Sequence, residues 1–213
     1  MKALFLYGMK CQPWIWDGVL NLSEGIQIEV VEYPRETTRD ANSSEDIAKW
    51  ISQKYLKPDN FYDVLVGHSM GGVLALQIAN QHMHQISKVI LVETFVVPSG
   101  DFYHNLLFDA AEGSLQQRIE DMLAVEGEYY SETLHKELRT KNYLDLAMSL
   151  IDRTAFIYGD RGRRNQRKNI DDLYLPSAIS QTTPIKFVGK ACHFPMLENE
   201  LEFKSELSSL VKL

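Results

Sequence analysis

The chain has 213 residues, 45% of them hydrophobic and 24% charged, which suits one globular domain with a substantial apolar core. With 22 basic against 29 acidic residues the formal charge is −7, which argues against nucleic acid or an anionic membrane as the main partner. No apolar run approaches membrane-spanning length, and two cysteines, Cys11 and Cys192, make no disulfide framework.

In chain order, residues 2–7 read as a β-run that stops at Gly8. This opening stretch is too short for a signal peptide, so the cytoplasm is the expected location. Trp14, Trp16, Val19 and Leu20 follow at loosely helical spacing, and residues 27–32 form a second strand closed by Tyr33 and Pro34. Residues 35–44 are polar and read as a loop. Ser44 and Asp46, ahead of Ile47, Trp50 and Ile51, predict a capped amphipathic helix. A third strand at 62–66 runs into the helix-patterned Val73–Ala79 stretch, and a fourth strand lies at 88–92. Strands alternating with helices imply βαβ units and a parallel sheet.

The alternation stops over residues 97–150, where only helical patterning is found. Ile119, Met122 and Leu123 mark one helix, Leu134 and Leu138 a second, and Tyr143, Leu144, Ala147 and Leu150 a third. It resumes with strands at 154–158 and 185–188. The last helix, 201–213, is amphipathic through Phe203, Leu207, Leu210 and Val211. There is no internal repeat and no low-complexity segment.

The stretch that organises the chain is Gly67-His68-Ser69-Met70-Gly71, a G-x-S-x-G placed between the third strand and the helix after it. A chain that turns from strand to helix in so few residues leaves the central serine in a strained backbone with its hydroxyl pushed outward. Flanking glycines are needed because a Cβ there would meet the opposing backbone. The free N–H groups of the following helix favour an anion beside the serine.

On this motif and its setting the chain resembles the α/β-hydrolase superfamily over nearly its whole length. The resemblance implies an α/β fold: a mostly parallel, doubly wound sheet of six strands in the order 2-1-3-4-5-6, without the two antiparallel strands that usually come first. Residues 1–96 and 151–213 would be the core, residues 97–150 a helical cap, and the ligand crevice would lie at the strands' C-terminal ends.

A serine nucleophile needs a base. Of six histidines, His193 stands in Gly189-Lys190-Ala191-Cys192-His193-Phe194-Pro195-Met196-Leu197-Glu198, which resembles the family's late histidine loop. His68, inside the elbow, should point away from the Ser69 hydroxyl. His82, His84, His104 and His135 have no metal-ligand company, so no metal site is expected. An oxyanion hole would take one N–H from Met70 and one from Met9, since Leu6-Tyr7-Gly8-Met9 resembles the family's His-Gly-x loop with Tyr7 in place of histidine.

Two residues compete for the triad acid. The family usually places an aspartate as G-x-x-D after the fifth strand, but Gly159-Asp160-Arg161-Gly162 has glycine at that position and Asp160 two residues early. The other is Glu93, closing the fourth strand in Ile90-Leu91-Val92-Glu93-Thr94. This segment resembles the strand-end glutamate of certain haloalkane dehalogenases, whose aspartate nucleophile Ser69 excludes here. Residues 161–168, with Arg161, Arg163, Arg164, Arg167 and Lys168, are either a solvated face or an attractor for an anionic substrate tail. Cys11 and Cys192 are both expected to border the pocket.

These readings imply a serine hydrolase acting on a small-molecule ester, thioester or related acyl substrate through an acyl-enzyme, with no cofactor. A C–C bond hydrolase or lyase on the same residues, and a receptor that keeps the fold without turnover, are the competing readings.

Overall fold

The computed structural model of the chain describes residues 1–20, 25–108 and 113–212. In order, β1 (Lys2–Leu6) leads through a 3-10 turn (Pro13–Val19) to β2 (Gln27–Val30), α1 (Arg35–Asp40) and α2 (Ser44–Tyr55). Then come β3 (Tyr62–His68), α3 (Met70–Gln81) and β4 (Ile86–Val92). A 3-10 turn (Asp101–Tyr103), α4 (Gly113–Gly127), α5 (Glu132–Thr140), α6 (Leu144–Ser149) and another 3-10 turn (Ile151–Arg153) fill the interval before β5 (Thr154–Gly159). The chain closes with α7 (Gln166–Asp171), α8 (Ser177–Ser180), β6 (Ile185–Val188), α9 (Pro195–Glu198) and α10 (Glu200–Val211).

All six strands form one sheet in the order β2-β1-β3-β4-β5-β6, with every pairing parallel. The central strands are buried on both faces: Val64, Leu65 and Val66 of β3 and Val89–Val92 of β4 are at most 2% exposed. Such strands read as unbroken apolar runs because helices cover both sides of a parallel sheet. The helix α3 is apolar almost all round, and every residue from Met70 to Ala79 is buried. It is the core helix, packed on β1, β3 and β4 beneath α2 and α6. The Pro13–Val19 turn packs with α9 and α10, where Trp16 meets Phe203 at 6.2 Å between ring centroids.

Three local expectations are corrected. The stretch read as a loop contains α1, which has no apolar stripe to betray it and buries only Thr38. Tertiary contacts hold it instead: Arg35 donates to Glu126 at 2.7 Å and lies over the Tyr129 ring. The cap of α2 is Ser43, not Ser44; the backbone N–H of Ser43 donates to Asp46 Oδ2 at 2.9 Å. Ser44 turns inward, where Gln77 Nε2 donates to its hydroxyl. The last helix ends at Val211, and its expected final residue Leu213 lies outside the described residues.

The strand-to-helix turn at Ser69 sets the tightest packing. A Cβ on Gly67 would lie 2.3 Å from the Gly71 carbonyl oxygen, and one on Gly71 would lie 2.5 Å from that of Leu6. Real Cβ atoms do not come so close to backbone, so α3 touches β1 and β3 only because both positions are glycine. Gly71→Ala is therefore expected to cost at least about 1–3 kcal/mol in thermal or denaturant unfolding. Gly113→Ala, whose Cβ would meet nothing within 4 Å, should stay within about 1 kcal/mol of the parent. Equal stability of the two variants would contradict this packing.

Candidate active site

The C-terminal ends of the strands bring Ser69, Glu93, Met9 and Met70 to one cavity, and His193 lies beside Glu93. Ser69 follows β3 directly with φ 54° and ψ −120°, a backbone region that side chains other than glycine rarely occupy. Its N–H bonds the Val92 carbonyl at 2.9 Å, and its own carbonyl accepts the Thr94 hydroxyl at 3.1 Å, so β4 holds the turn from both sides. Among the described residues the Ser69 hydroxyl takes no hydrogen bond. Ser69 opens on a cavity of about 220 Å³ lined by Met9, Met70, Val73, Phe95, Leu138 and Tyr143, with Glu93 and Arg139 also on its wall. Both expected oxyanion residues, Met9 and Met70, thus face the same space as Ser69.

Glu93 is fully buried at the end of β4, in a positive-φ backbone (47°). Its carboxylate is saturated. Oε1 accepts the Gly159 N–H at 2.6 Å and Arg161 at 2.7 Å, and Oε2 accepts Arg161 at 2.7 Å and lies 3.5 Å from His193 Nδ1. Burial pushes the Glu93 carboxyl up, but the hydrogen bonds and charge of Arg161, helped by His193, outweigh it and hold the group below its ordinary value. The Nδ1 distance exceeds that of a formed N–H···O bond; such contacts in ligand-free sites tighten when the reacting complex assembles.

Asp160, the other expected acid, is engaged by backbone N–H groups. Its Oδ1 accepts the N–H groups of Gly162 at 2.6 Å and Lys190 at 2.7 Å, tying the loop after β5 to the one after β6. No contact joins it to His193. Arg161, read as part of a basic cluster, is 3% exposed and belongs to Glu93, with its guanidinium 4.5 Å over the Tyr103 ring. Arg163 pairs with Asp172 and stacks on Phe102, while Arg164, Arg167 and Lys168 are exposed.

The histidine loop is fastened at several points. Glu198 Oε2 accepts the N–H groups of Cys192 and Phe194, which flank His193, at 2.8 and 3.1 Å. The N–H of His193 bonds the Leu106 carbonyl at 3.0 Å. Beneath it, His68 donates from Nε2 to the His193 carbonyl at 2.8 Å, and the two rings lie 4.8 Å apart. Burial, and then the charge of His193, push the His68 imidazole down to about 3, so it is neutral and its tautomer is fixed by that carbonyl. His68 therefore turns to the His193 carbonyl, a supporting place that its position in the motif alone does not reveal.

Tyr7, where the family loop has histidine, locks that loop to the end of β2. Its hydroxyl accepts the Tyr33 N–H at 2.8 Å, and its carbonyl accepts the Tyr33 hydroxyl at 3.1 Å. The cysteines do not border the Ser69 cavity. Both are buried; Cys11 lines a separate cavity of about 490 Å³ with Tyr7, Tyr33 and Glu126, and burial pushes its thiol up to about 12. Among the described residues no cluster of side chains suits a metal ion, and no helix is long and apolar enough to cross a membrane.

The sequence model of the alpha/beta hydrolase fold matches residues 25–159. Solved structures align over essentially the whole chain. The protein MenH from S. aureus is 16% identical with a TM-score of 0.74, covering 100% of this chain and 93% of that one. An esterase from Exiguobacterium antarcticum is 17% identical with a TM-score of 0.73, covering 100% and 92%. A thioesterase domain from the curacin biosynthetic pathway is 18% identical with a TM-score of 0.63, covering 100% and 90%. At these identities the likeness shows the fold alone. Comparison with curated proteins finds no match.

Breaking a buried ion pair leaves one charge without compensation, at a cost of about 3–5 kcal/mol. Arg161→Met should lose roughly that much in denaturant unfolding, and the double variant Glu93→Gln/Arg161→Met should recover part of it. Because Glu93 is held below its ordinary 4.5 in the fold, its ionised form contributes stability above that pH, and the contribution is lost as the pH falls below it. Glu93→Gln should accordingly flatten the acid limb of the stability curve. An unchanged acid limb together with a stable Arg161→Met protein would contradict the pairing.

Proposed function

The chain belongs to the alpha/beta hydrolase fold family, and from its site we propose that it is a serine hydrolase cleaving small carboxylic esters or thioesters. The observation that carries this reading is the strained Ser69 turn, opening on a small, mostly apolar cavity whose wall also holds a buried carboxylate facing His193. The esterase and thioesterase among the structural neighbours agree with it.

In this reading His193 takes the Ser69 proton as Oγ attacks the carbonyl carbon, and the N–H groups of Met9 and Met70 meet the charge that forms on the carbonyl oxygen. Glu93 orients the imidazole through Nδ1 and stabilises the imidazolium. His193 then gives its proton to the departing alcohol or thiol, leaving Ser69 acylated. A water molecule, deprotonated by the same histidine, releases the acid and restores the serine. The helices α4–α6 act as a cap: Leu138 and Arg139 of α5 and Tyr143 before α6 wall the cavity opposite the sheet. A volume of about 220 Å³ is below the usual range for drug-sized ligands and suits a short acyl group.

The first test is covalent. A fluorophosphonate should label Ser69, identified by peptide mapping, and Ser69→Ala should abolish labelling while keeping the fold. Labelling that persists undiminished in Ser69→Ala would remove the mechanism. A second test separates the two acids: Glu93→Gln should slow labelling and ester turnover by about three orders of magnitude or more, while Asp160→Asn loses far less. The opposite ranking would return the acid to the loop after β5.

A further inference from the structure

The cavity at Ser69 is lined mostly by apolar side chains, with the buried Glu93, already paired with Arg161, and Arg139 of α5 also on its wall. Arg139 is exposed, and among the described residues it makes no ion pair and no side-chain hydrogen bond. The acids near it are engaged or offset. Glu137, two residues earlier, accepts the Ser44 N–H at 2.6 Å and pairs with Lys141 at 3.0 Å. A second cation, Lys10, directly follows Met9 in the loop after β1, and it too has no ion-pair partner among the described residues. The side chain of Lys10 lies along Gly127 of α4, and His135 stands one turn before Arg139 on the same face of α5. Burial first, and then these two cations, push its imidazole below the ordinary value, with Glu132 acting the other way.

An unpaired guanidinium on the wall of this cavity is unexpected on a chain with a net charge of −7, and Lys10 stands one residue beyond Met9, which lines the same cavity. Two guanidinium groups in the loop after β5 are matched: the buried Arg161 meets Glu93, and the partly exposed Arg163 meets Asp172. A guanidinium offers a planar fork of donors that fits a carboxylate or phosphate, and a nearby ammonium adds charge without demanding geometry. The apolar lining between Arg139 and Ser69, from Leu138, Tyr143, Phe95 and Val73, suits a few methylene groups.

We propose that the substrate is an anionic acyl ester or thioester, such as a half-ester of a short dicarboxylic acid, whose charged end is held by Arg139 and Lys10 while its carbonyl reaches Ser69. The assignment rests on the hydrolase reading above and narrows it to a substrate class. In this arrangement the cations raise the local concentration of the anion and set its register, and the alkyl spacer fills the cavity. It also gives the cap helix α5 a part in specificity rather than mere coverage.

The experiment compares two p-nitrophenyl alkylphosphonates that differ only at the chain terminus, one ending in a carboxylate and the other in the near-isosteric methyl ketone. Both are transition-state-like reagents for the nucleophile, so labelling rates can be read without knowing the natural substrate. At low ionic strength the carboxylate reagent should label Ser69 about tenfold faster than the ketone, and the ratio should shrink as salt is added. In Arg139→Gln the ratio should fall toward one, and in Arg139→Gln/Lys10→Gln it should reach one or below. Equal rates in the parent protein, or a ratio that Arg139→Gln leaves intact, would overturn the proposal while leaving the hydrolase reading in place. Failure of both reagents to label Ser69 would remove the hydrolase reading and this one with it.

Discussion

The buried pair between Glu93 and Arg161 is the interaction on which the site depends. A carboxylate with no exposure at the end of a central strand is costly unless its charge is balanced and its lone pairs are used. Arg161 supplies two of the four contacts, the Gly159 N–H a third and His193 the fourth. The pair therefore joins the ends of β4 and β5 and leaves one corner of the carboxylate for the histidine loop. In the proposed mechanism the acid comes from β4, so the loop after β5 needs no aspartate at position 162, where it folds back at Gly162 with φ 76°.

Strain collects where the sheet ends. Among the described residues, positive φ at residues other than glycine occurs at Lys10, Ser69, Glu93, Arg161 and Lys190, each beyond the C-terminal end of β1, β3, β4, β5 or β6, and away from the strand ends at Tyr174. Four of those at the strand ends are held through their N–H groups by a neighbouring loop or strand: Ser69 to Val92 O at 2.9 Å, Glu93 to Ile157 O at 2.9 Å, Arg161 to Ala191 O at 3.0 Å, and Lys190 to the Asp160 side-chain Oδ1 at 2.7 Å. Loops that lean on one another in this way fix Ser69, Glu93 and His193 together. Rigid positioning matters here because the proposed chemistry needs donors aimed at a charge that exists only transiently.

Much of the sheet was legible in the residues. Both-face burial produces continuous apolar runs, so strands β3, β4 and β5 announce themselves, and the glycines of the elbow follow from the close approach of α3. The expectations at Ser69, His193 and Glu93 came from broken local rules: a serine between obligatory glycines, a histidine before a proline-started helix, a charge closing an apolar strand. What stayed hidden depends on partners distant in sequence. The short helix α1 leans on Glu126, 91 residues from Arg35, and has no periodicity of its own. Arg161 looked like one charge in a solvated run because nothing local marks it as the counter-ion of a residue 68 positions earlier. His68 was read from its motif position, but its bond to the His193 carbonyl spans 125 residues.

The central claim is that Glu93, held by Arg161, is the acceptor for the Nδ1 proton of His193. Proton NMR on the protein with 15N-labelled histidine reads that proton directly. A strongly downfield resonance assigned to His193 Nδ1–H is expected in the parent and in Asp160→Asn, and it should vanish or move well upfield in Glu93→Gln. A downfield proton that survives in Glu93→Gln and is lost in Asp160→Asn would contradict the claim.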